Sequence, residues 1–461
     1  MIVWTCRVDP VLETLTDFAT GLKFRELPAS IVTAAGERVM DALGCAVGAY
    51  HGDTVEIARS MAGPAAPGAL AGRMVGTSNT AAADAASFVN ACMVRHIDFN
   101  DTYLPGGHPS DSSGGLFAIA PQIGASGEQL IAATVVAYEI FIRLQISAKL
   151  REKGWDQGFG VGIGTVAGLA NMMGLSHEVT RNALAITCVG NVPLRATRAG
   201  MLSMWKGVAT AYAVRNAVFG VQLAIAGMTG PEAPFSGRHG FTDQISGPIE
   251  LAPFGTGEEH FYLPKAKIKY WPVAHAMQTA IWAGIELRKR VPAEALASVD
   301  VQTCWSAWHE SGSEPAKWDP RTKETADHSL PYILAWTLRH GQIDEESFKP
   351  ESYLDPSIRP LMNIITARVD DDIEKDMPKT IRMRVNAKDK AGKSHEVHIV
   401  NPPGHEENPL SPADLAAKFT RLIEPRLGKE RAAAALKHWQ NIASARNVKD
   451  AFDAVNVTES R

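Results

Sequence analysis

The chain has 461 residues, of which 45% are hydrophobic and 21% are charged, and its formal net charge is −4. This composition is typical of a globular protein with a large core, and the slight acidity provides no basic field for nucleic acid or an anionic membrane. The five cysteines are odd in number, lie far apart and form no CxxC pair, which argues against a disulfide framework, an iron–sulfur cluster or a zinc site.

We expect neither the N-terminal residues nor the most apolar segment to act as a targeting or membrane segment. The first residues include Asp9, Glu13 and Asp17 and contain no continuous apolar run, unlike a signal peptide. The longest apolar segment, 130–146, is interrupted by Glu139 and Arg143, so we interpret it as too short and too polar to span a bilayer. We expect a cytoplasmic protein without nucleic-acid or membrane partners.

Helical patterns dominate from residue 8 to residue 245. Apolar residues recur with helical spacing, and the frequent alanine and glycine permit close helix–helix contact. One exception, 72–77, is interpreted as a short strand or extended turn. The predicted helices cover residues 10–22, 28–50, 55–61, 81–97, 114–125, 128–149, 160–173, 176–188 and 207–227.

Strand patterns begin after residue 249. Residues 296–304 indicate a strand, and 380–386 alternate charged with apolar residues, as a half-buried strand does. A turn at 389–392 and a returning strand at 395–400 complete a hairpin. Helices are predicted at 275–290 and 330–339, packed on this sheet, and again at 411–423, 429–440 and 448–455.

The predicted fold is mainly α with an α+β second domain. A large helical domain spans residues 1–265, and a smaller α+β domain, inserted at 266–405, would lie over it as a lid. Residues 406–461 would return to the helical domain.

The stretch 95–115 is the strongest candidate for an active-site segment. It places acids, hydroxyls, two histidines and a proline–glycine break between two apolar helices. Buried polar groups cost free energy unless each finds a partner, so a chain that concentrates them there uses them. The alternative is a helix-to-helix loop, in which Asp98 and Thr102 are terminal polar residues and Ser110 and Asp111 cap the next helix.

Three further clusters carry candidate chemistry. Arg195, Arg198 and Lys206 lie at a break between helices, and Lys206 is near a helix N-terminus, where anions are favoured; a solvated surface is the alternative. A lysine-rich stretch, 265–275, is either a strand with one wet face or part of a site. In the segment 326–332, Asp327 or Ser329 could be a simple N-cap, whereas His328 and Tyr332 share a helix face and could present two proton-transfer groups.

Motifs for metals and common cofactors are not found. His96, Asp98, His108 and Asp111 offer metal ligands, but the first two diverge at a helix end and no HExxH-like spacing occurs, so we predict neither a metal nor a cofactor. Nor does the chain contain a GxSxG elbow, a P-loop or a GxGxxG motif after a strand. What remains is acid–base chemistry on an anionic substrate, in which fixed cations stabilise an enolate-like species.

Several segments together resemble the MmgE/PrpD family. They are DFNDT at 98–102 with HPSD at 108–111, WKG at 205–207, the lysine–aromatic–proline stretch that ends at His275, and Asp327-His328 with Tyr332. The family contains 2-methylcitrate dehydratase, cis-aconitate decarboxylase and iminodisuccinate epimerase. The resemblance implies a helical domain with an inserted α+β lid, a homodimer, and neither metal nor organic cofactor.

The resemblance also implies site residues. The positions that match the family's catalytic residues are Asp98, Thr102, His108, Lys206, Lys269, His275 and Tyr332. The expected substrate-binding residues are Arg195, Arg198, His328, Asp156 and Gln157.

The resemblance favours a hydro-lyase of the 2-methylcitrate dehydratase type that acts on a small di- or tricarboxylate. The arginine pattern and the HPSD tetrad are most similar to that branch. In the proposed reaction, Asp98 or a histidine takes the α-proton, and His108 or Tyr332 protonates the departing hydroxyl. Where relatives have a histidine, this chain has Asp156 and Gln157, which disfavours a decarboxylase that depends on it. An epimerase or decarboxylase of a related acid, and an inert carboxylate-binding homologue, are the alternatives.

Overall fold

The computed structural model of the protein describes residues 9–104 and 106–457. Cys6 and Pro105, which belong to the cysteine set and the proline–glycine break discussed above, lie outside the described residues. The chain is mainly helical, with a small mixed sheet in its C-terminal part, which confirms the predicted fold class.

The first part of the chain is built from helices and one small hairpin. The helices are α1 (Pro10–Gly21), α2 (Ala29–Gly48), α3 (Asp53–Ser60), α4 (Ala83–Arg95), α5 (Ser113–Ile119), α6 (Gly127–Ala148), α7 (Gly158–Met173), α8 (His177–Gly190) and α9 (Trp205–Ile225). Strands β1 (Ala71–Arg73) and β2 (Thr80–Ala82) pair antiparallel. The predicted strand at 72–77 therefore shares only its first two residues with β1, and helix α5 ends before the predicted residue 125.

The second part contains a four-stranded sheet in the order β4-β3-β5-β6. The strands are β3 (Leu296–Thr303), β4 (Ile365–Val369), β5 (Arg382–Asp389) and β6 (Ser394–Val400). The predicted hairpin is the antiparallel pair β5–β6, and β3 lies antiparallel to β5. Strand β4, which pairs parallel with β3, was not predicted.

Helices surround the sheet and then return to the first part of the chain. They are α10 (Gln278–Arg288), α11 (Trp305–Ser311), α12 (Pro315–Trp318), α13 (Lys323–Ala326), α14 (Leu330–His340), α15 (Pro350–Tyr353), α16 (Arg359–Asn363), α17 (Asp371–Glu374), α18 (Pro412–Leu427), α19 (Lys429–Gln440) and α20 (Lys449–Asp453). The predicted helix at 275–290 begins with a 3₁₀ turn, His275–Met277, before α10.

Two separate clusters of buried apolar side chains hold the molecule together. One, here called the helical unit, draws on residues 11–268 and again on 415–455. The other, here called the sheet unit, draws on residues 271–399. The C-terminal helices α18–α20 therefore pack with the N-terminal helices, although the sheet unit separates them in the sequence.

Helices α6 and α7 pack closely against each other in the helical unit. A Cβ at Gly164 would lie 2.6 Å from the backbone oxygen of Ala137, so a larger residue at this contact would push the helices apart. This contact brings Gln145, near the end of α6, and Gln157, before the start of α7, to the same cavity.

Two helices, Gly127–Ala148 and Trp205–Ile225, are long and apolar enough to cross a membrane by length and composition alone. The first is longer than the apolar segment recognised in the sequence. Its most apolar window is 89% buried within the protein, as expected of a core helix, whereas the corresponding window of the second is 61% buried.

Candidate active site

A cavity of about 110 Å³ lies between the helical unit and the sheet unit. Both units contribute charged side chains to its wall, and most of the residues expected to form the site meet there. The expected residues that line it are Asp98, Thr102, His108, Gln157, Arg195, Arg198, Lys206, Lys269, His275 and His328.

Asp98 is the anion on which the cations of the cavity converge. It follows α4 with a φ of 48°, in the left-handed region, and is 2% exposed. Its Oδ1 accepts hydrogen bonds from the Arg95 guanidinium and, at 2.8 Å, from the Lys269 ammonium, which also donates to the Asp98 backbone oxygen at 2.7 Å. Its Oδ2 lies 3.4 Å from Lys206 Nζ and 3.6 Å from His328 Nε2. These contacts hold the backbone in its unusual conformation.

The surrounding charges determine which groups of the cavity are ionised. Burial favours the neutral form of Asp98, but Arg95, Lys206, Lys269 and His328 outweigh it and hold the pKa of the carboxyl well below its usual range. Burial lowers the pKa of Lys269 to about 8, although Asp98 opposes this change. Near neutral pH, Asp98 is therefore a carboxylate and a poor proton acceptor, whereas Lys269 is an ammonium that can give up a proton.

His108 has a defined tautomer. Its Nδ1 lies 2.6 Å from the backbone oxygen of Asp101. Because a carbonyl oxygen only accepts, Nδ1 carries the proton, and Nε2 keeps its lone pair 4.0 Å from Asp98 Oδ1. Burial, with Arg95 and Lys269, lowers the pKa of His108 well below its usual value. The ring is therefore neutral, and it can accept a proton but cannot donate one from Nε2.

Gln157 fixes the loop that carries His108. Its Oε1 accepts a hydrogen bond from the His108 backbone N–H at 2.6 Å. Gly107 allows this approach, since its φ is 124° and a Cβ there would lie 1.5 Å from Gln157 Oε1. Asp156 does not line the cavity; it is fully buried and accepts from Arg198 Nε at 2.6 Å. Of the two residues expected to replace a histidine of the family, Gln157 contacts the cavity and Asp156 positions an arginine.

Asp327 and His328 form a carboxylate–imidazole pair beside Lys206. A short hydrogen bond joins His328 Nδ1 to Asp327 Oδ1, which lies 3.7 Å from Lys206 Nζ. Burial opposes the ionisation of Asp327, but Lys206 and His328 lower its pKa, so the carboxylate accepts and His328 Nδ1 donates. Burial and Lys206 lower the pKa of His328, so its ring is neutral and Nε2 carries a lone pair. The N-cap of α14 is Ser329, which leaves Asp327 free for this role.

His275 and Thr102 contribute in different ways. Both ring nitrogens of His275 are buried and make no hydrogen bond with any described residue, and burial with Lys267 and Lys269 lowers the pKa of His275 well below its usual value. A neutral imidazole whose two ring nitrogens lack a partner among the described residues can form hydrogen bonds with a ligand. Thr102 instead shapes the loop, because its hydroxyl donates to the Gly107 oxygen at 3.1 Å and its backbone N–H to the Lys267 oxygen at 2.9 Å.

The two predicted arginines already have carboxylate partners. Arg198 contacts Asp156, and Arg195 Nη2 lies 2.9 Å from Oε1 of Glu310, which Arg151 also contacts. Although burial opposes it, Arg151 and Arg195 hold the pKa of Glu310 below its usual value. Glu310 belongs to α11, so this ion pair joins the sheet unit to the helical unit across the cavity.

Tyr332 does not reach the cavity, contrary to expectation. It is fully buried in the sheet unit, and its hydroxyl donates to the backbone oxygen of Ser347. Burial raises the pKa of Tyr332 far above its usual value. The expectation that His328 and Tyr332 share a helix face fails because His328 precedes α14 and only Tyr332 lies within it. A role for Tyr332 in protonating the departing hydroxyl is therefore wrong.

Lys418 of α18 fixes two of the segments that carry site residues. Its ammonium donates to the backbone oxygens of Phe99 at 2.8 Å and of Lys269 at 2.9 Å, and it lies 2.5 Å from the Asp41 carboxylate. Phe99 is next to Asp98. Lys418 therefore fixes the backbone next to Asp98 and the backbone of Lys269 relative to each other. Lys418 and Asp41 are together called the "Lys418 clamp" below.

A metal ion would compete with the protein's own cations at this site. Asp98, Asp327 and His328 offer ligand atoms within 4.8 Å of one another. However, Arg95 and Lys269 occupy Oδ1 of Asp98, and Lys206 lies near both carboxylates. A divalent cation would have to displace these contacts and would meet several positive charges, so the donor set suits an anionic ligand better.

Several lining residues were not assigned from the sequence. They are Arg95, Gln145, Arg151, Glu310 and Lys317. Arg95 begins the polar stretch that was recognised, and its separation of three residues from Asp98 on a helix end would have suggested an ion pair. Glu310 and Lys317 lie in short helices after β3, where the sequence carries no recognisable pattern.

Two family models together match most of the chain. The model of the MmgE/PrpD N-terminal domain matches residues 13–253, and that of the C-terminal domain matches residues 271–441. The chain is 28% identical over 394 residues to a 2-methylcitrate dehydratase of Cupriavidus necator, which covers 80% of this chain and 79% of the relative. It is 28% identical over 335 residues to a 2-methylcitrate dehydratase of Escherichia coli (strain K12), with 68% of each chain covered. An alkylcitrate dehydratase of a fungal species is 26% identical over 422 residues, with 83% and 82% covered. The chain belongs to the MmgE/PrpD family.

Proposed function

We propose that this protein is a hydro-lyase of the 2-methylcitrate dehydratase type that acts on a small di- or tricarboxylate. The observation that supports this most strongly is the meeting of Lys206, Lys269, His108 and His328 around one buried carboxylate, Asp98. Removal of a proton next to a carboxylate creates a doubly charged enolate-like species, and fixed ammonium groups stabilise such charge where water is excluded. The distant relationship to 2-methylcitrate dehydratases supports the same reaction.

The proton acceptor in this proposal is His328. Its Nε2 carries a lone pair, and the Asp327 carboxylate on Nδ1 stabilises the imidazolium that forms. His108 also has a free Nε2 but only a backbone carbonyl on Nδ1, which stabilises the charged ring less. Asp98 is unsuited because its neighbours hold its pKa low.

The proton donor in this proposal is Lys269. As His328 takes the α-proton, the C–H electrons form the carbon–carbon double bond and the C–O bond of the neighbouring carbon breaks. The Lys269 ammonium gives its proton to the departing hydroxyl, which leaves as water. The reaction ends with His328 protonated and Lys269 neutral, and exchange with solvent restores both groups.

Incubation with 2-methylcitrate tests the proposal. We expect ultraviolet absorbance to rise as an alkene conjugated with a carboxylate forms. Absence of that rise with any tricarboxylate, together with exchange of the substrate's α-proton for solvent deuterium, would indicate an epimerase instead. Release of carbon dioxide would indicate a decarboxylase, and binding without any of these would indicate an inert homologue.

Turnover is expected to fall as the pH rises through about 8. The pKa of Lys269 is lowered to about 8 by burial, so the proposed donor is charged below this pH and loses its proton above it. The measurement is kcat for 2-methylcitrate between pH 6 and 10. In the variant Lys269→Arg, whose side chain keeps its charge, residual turnover should lack this falling limb. A flat profile of the natural protein up to pH 10 would contradict the assignment.

We also propose that the protein is a homodimer that uses the exposed face of α9. Among the described residues, nine of the sixteen large exposed hydrophobic side chains lie between residues 189 and 228. Trp205, Tyr212 and Phe219 follow one another at seven-residue intervals on α9 and are 48%, 43% and 52% exposed. Such spacing gives one apolar stripe, which a second copy of the chain can cover symmetrically.

The variant Phe219→Lys is expected to raise the dissociation constant of the dimer at least about tenfold, because it places a charge in the buried stripe. Light scattering coupled to gel filtration over a range of concentrations measures it. Ile57→Lys is the matched control, since Ile57 is 58% exposed but lies on α3. A protein that is monomeric throughout, or a Phe219→Lys variant that dimerises normally, would contradict the proposed interface.

A further inference from the structure

Lys317 is the one cation in the cavity wall that lacks a carboxylate partner among the described residues. Its side chain is 2% exposed and lines the cavity, yet no described carboxylate oxygen lies within 4 Å of its ammonium. Burying an unpaired charge costs free energy, so such a group in the wall of a cavity indicates a position that an anion fills.

The other cations in the wall are already paired. The partner of Arg95 and Lys269 is Asp98, that of Arg151 and Arg195 is Glu310, that of Arg198 is Asp156, and Lys206 lies near Asp98 and Asp327. A ligand carboxylate that approaches any of them competes with a carboxylate of the protein. Near Lys317, Glu314 and other carboxylates act only from a distance, and none of the described ones lies within 4 Å of the ammonium.

The backbone around Lys317 is rigidly placed. Helix α12 has Pro315 in its first turn, and the indole of Trp318 donates to the Gly312 oxygen at 2.9 Å. The hydroxyl of Ser329 donates to the backbone oxygen of Lys317. Since Ser329 is next to His328, this hydrogen bond ties Lys317 to the segment that carries the proposed proton acceptor.

The charge state of Lys317 is consistent with an anion beside it. Burial lowers the pKa of Lys317, Glu314 opposes this change, and Lys206 lowers the pKa further. An anion bound beside Lys317 would stabilise its charged form against both burial and the charge of Lys206.

We propose that Lys317 binds a carboxylate of the substrate on the side of the cavity formed by the sheet unit. The inference rests on the proposed function and adds a requirement to it. In the proposed reaction Lys206 stabilises the carboxylate next to the abstracted proton and Lys269 serves the departing hydroxyl, so the substrate must carry a second carboxylate that reaches Lys317. Monocarboxylic hydroxy acids are therefore poor substrates.

The test is a binding measurement that does not depend on turnover. The probe is tricarballylate, which has three carboxylates but no hydroxyl to lose, and isothermal titration calorimetry gives its dissociation constant. The variant Lys317→Met should weaken binding about 10- to 100-fold, the range expected for loss of a charged hydrogen bond. Lys317→Arg should recover most of the affinity. Lys323→Met is the control, since Lys323 donates to the His96 backbone oxygen and does not line the cavity.

The outcomes separate this inference from the proposed function. Weakened binding in Lys317→Met, with Lys323→Met unchanged, supports the subsite even if 2-methylcitrate is not dehydrated. Unchanged binding in a Lys317→Met variant whose thermal transition matches the natural protein overturns the subsite and leaves the proposed function intact. Failure of the natural protein to bind tricarballylate also overturns it.

Discussion

Replacement of Asp98 by asparagine is expected to reduce turnover of 2-methylcitrate at least about 1,000-fold, on the scale of losing a key charged group in a preorganised site. The change keeps the shape of the side chain and removes its charge. Arg95, Lys206 and Lys269 then face one another without their common anion. Repulsion between them favours loss of the Lys269 proton, so the proposed donor is no longer charged near neutral pH.

The same substitution should lower the free energy of unfolding by about 3–5 kcal/mol, because buried cations lose their partner. Steady-state assays at temperatures well below the thermal transition measure the loss of turnover separately from the loss of stability, because the variant is then still folded. The control is Asp111→Asn, since Asp111 is equally buried and 4.0 Å from Arg95 but does not line the cavity. It should keep most of the turnover. If Asp98→Asn stays within tenfold of the natural protein, Asp98 is not the organising charge.

Replacement of Lys418 by methionine should lower the free energy of unfolding by about 3–5 kcal/mol, the usual cost of removing one partner of a buried ion pair. The variant leaves Asp41, which is 2% exposed, without a cation. It also leaves the backbone oxygens of Phe99 and Lys269 without a donor. Equilibrium unfolding in urea measures the change.

Two further measurements identify the Lys418 clamp as the cause. In the double variant Asp41→Asn/Lys418→Met, part of the loss should be recovered, because no unpaired charge remains. Burial raises the pKa of Asp41 to about 6 even with Lys418 present. Without Lys418 the pKa of Asp41 lies higher still, so the loss relative to the natural protein should shrink as the pH falls towards about 6, where the carboxyl becomes neutral in both proteins. A loss that is constant with pH, or a single variant as stable as the natural protein, would contradict this account.

The helices could be predicted well from the sequence because their apolar spacing is a local property. Helices α6, α9 and α19 begin and end within two residues of their predicted bounds. Strand β4 was missed since it is short and is stabilised by its parallel pairing with β3, more than sixty residues earlier in the chain. The residues of β4 alone do not indicate which distant strand they pair with.

The candidate site was predictable where its residues cluster in the sequence. The stretch that contains Asp98 and His108 was recognised by its concentration of polar groups, Lys206 by its position near a helix N-terminus, and family resemblance selected Lys269 and His275 from the lysine-rich stretch. Glu310, Lys317 and Lys418 were missed because single charged residues on amphipathic or short helices resemble a solvated surface. Tyr332 was wrongly included, since its helix turns it into the core of the sheet unit.

The position of the Lys418 clamp in the chain also has a consequence for how the cavity is assembled during synthesis. Lys418 follows Phe99 by 319 residues and Lys269 by 149 residues. A nascent chain that has just released the sheet unit from the ribosome already contains the whole cavity wall. The hydrogen bonds from Lys418 to the backbone of Phe99 and Lys269 form only after α18 has also emerged, so the support of the cavity wall is completed late in translation.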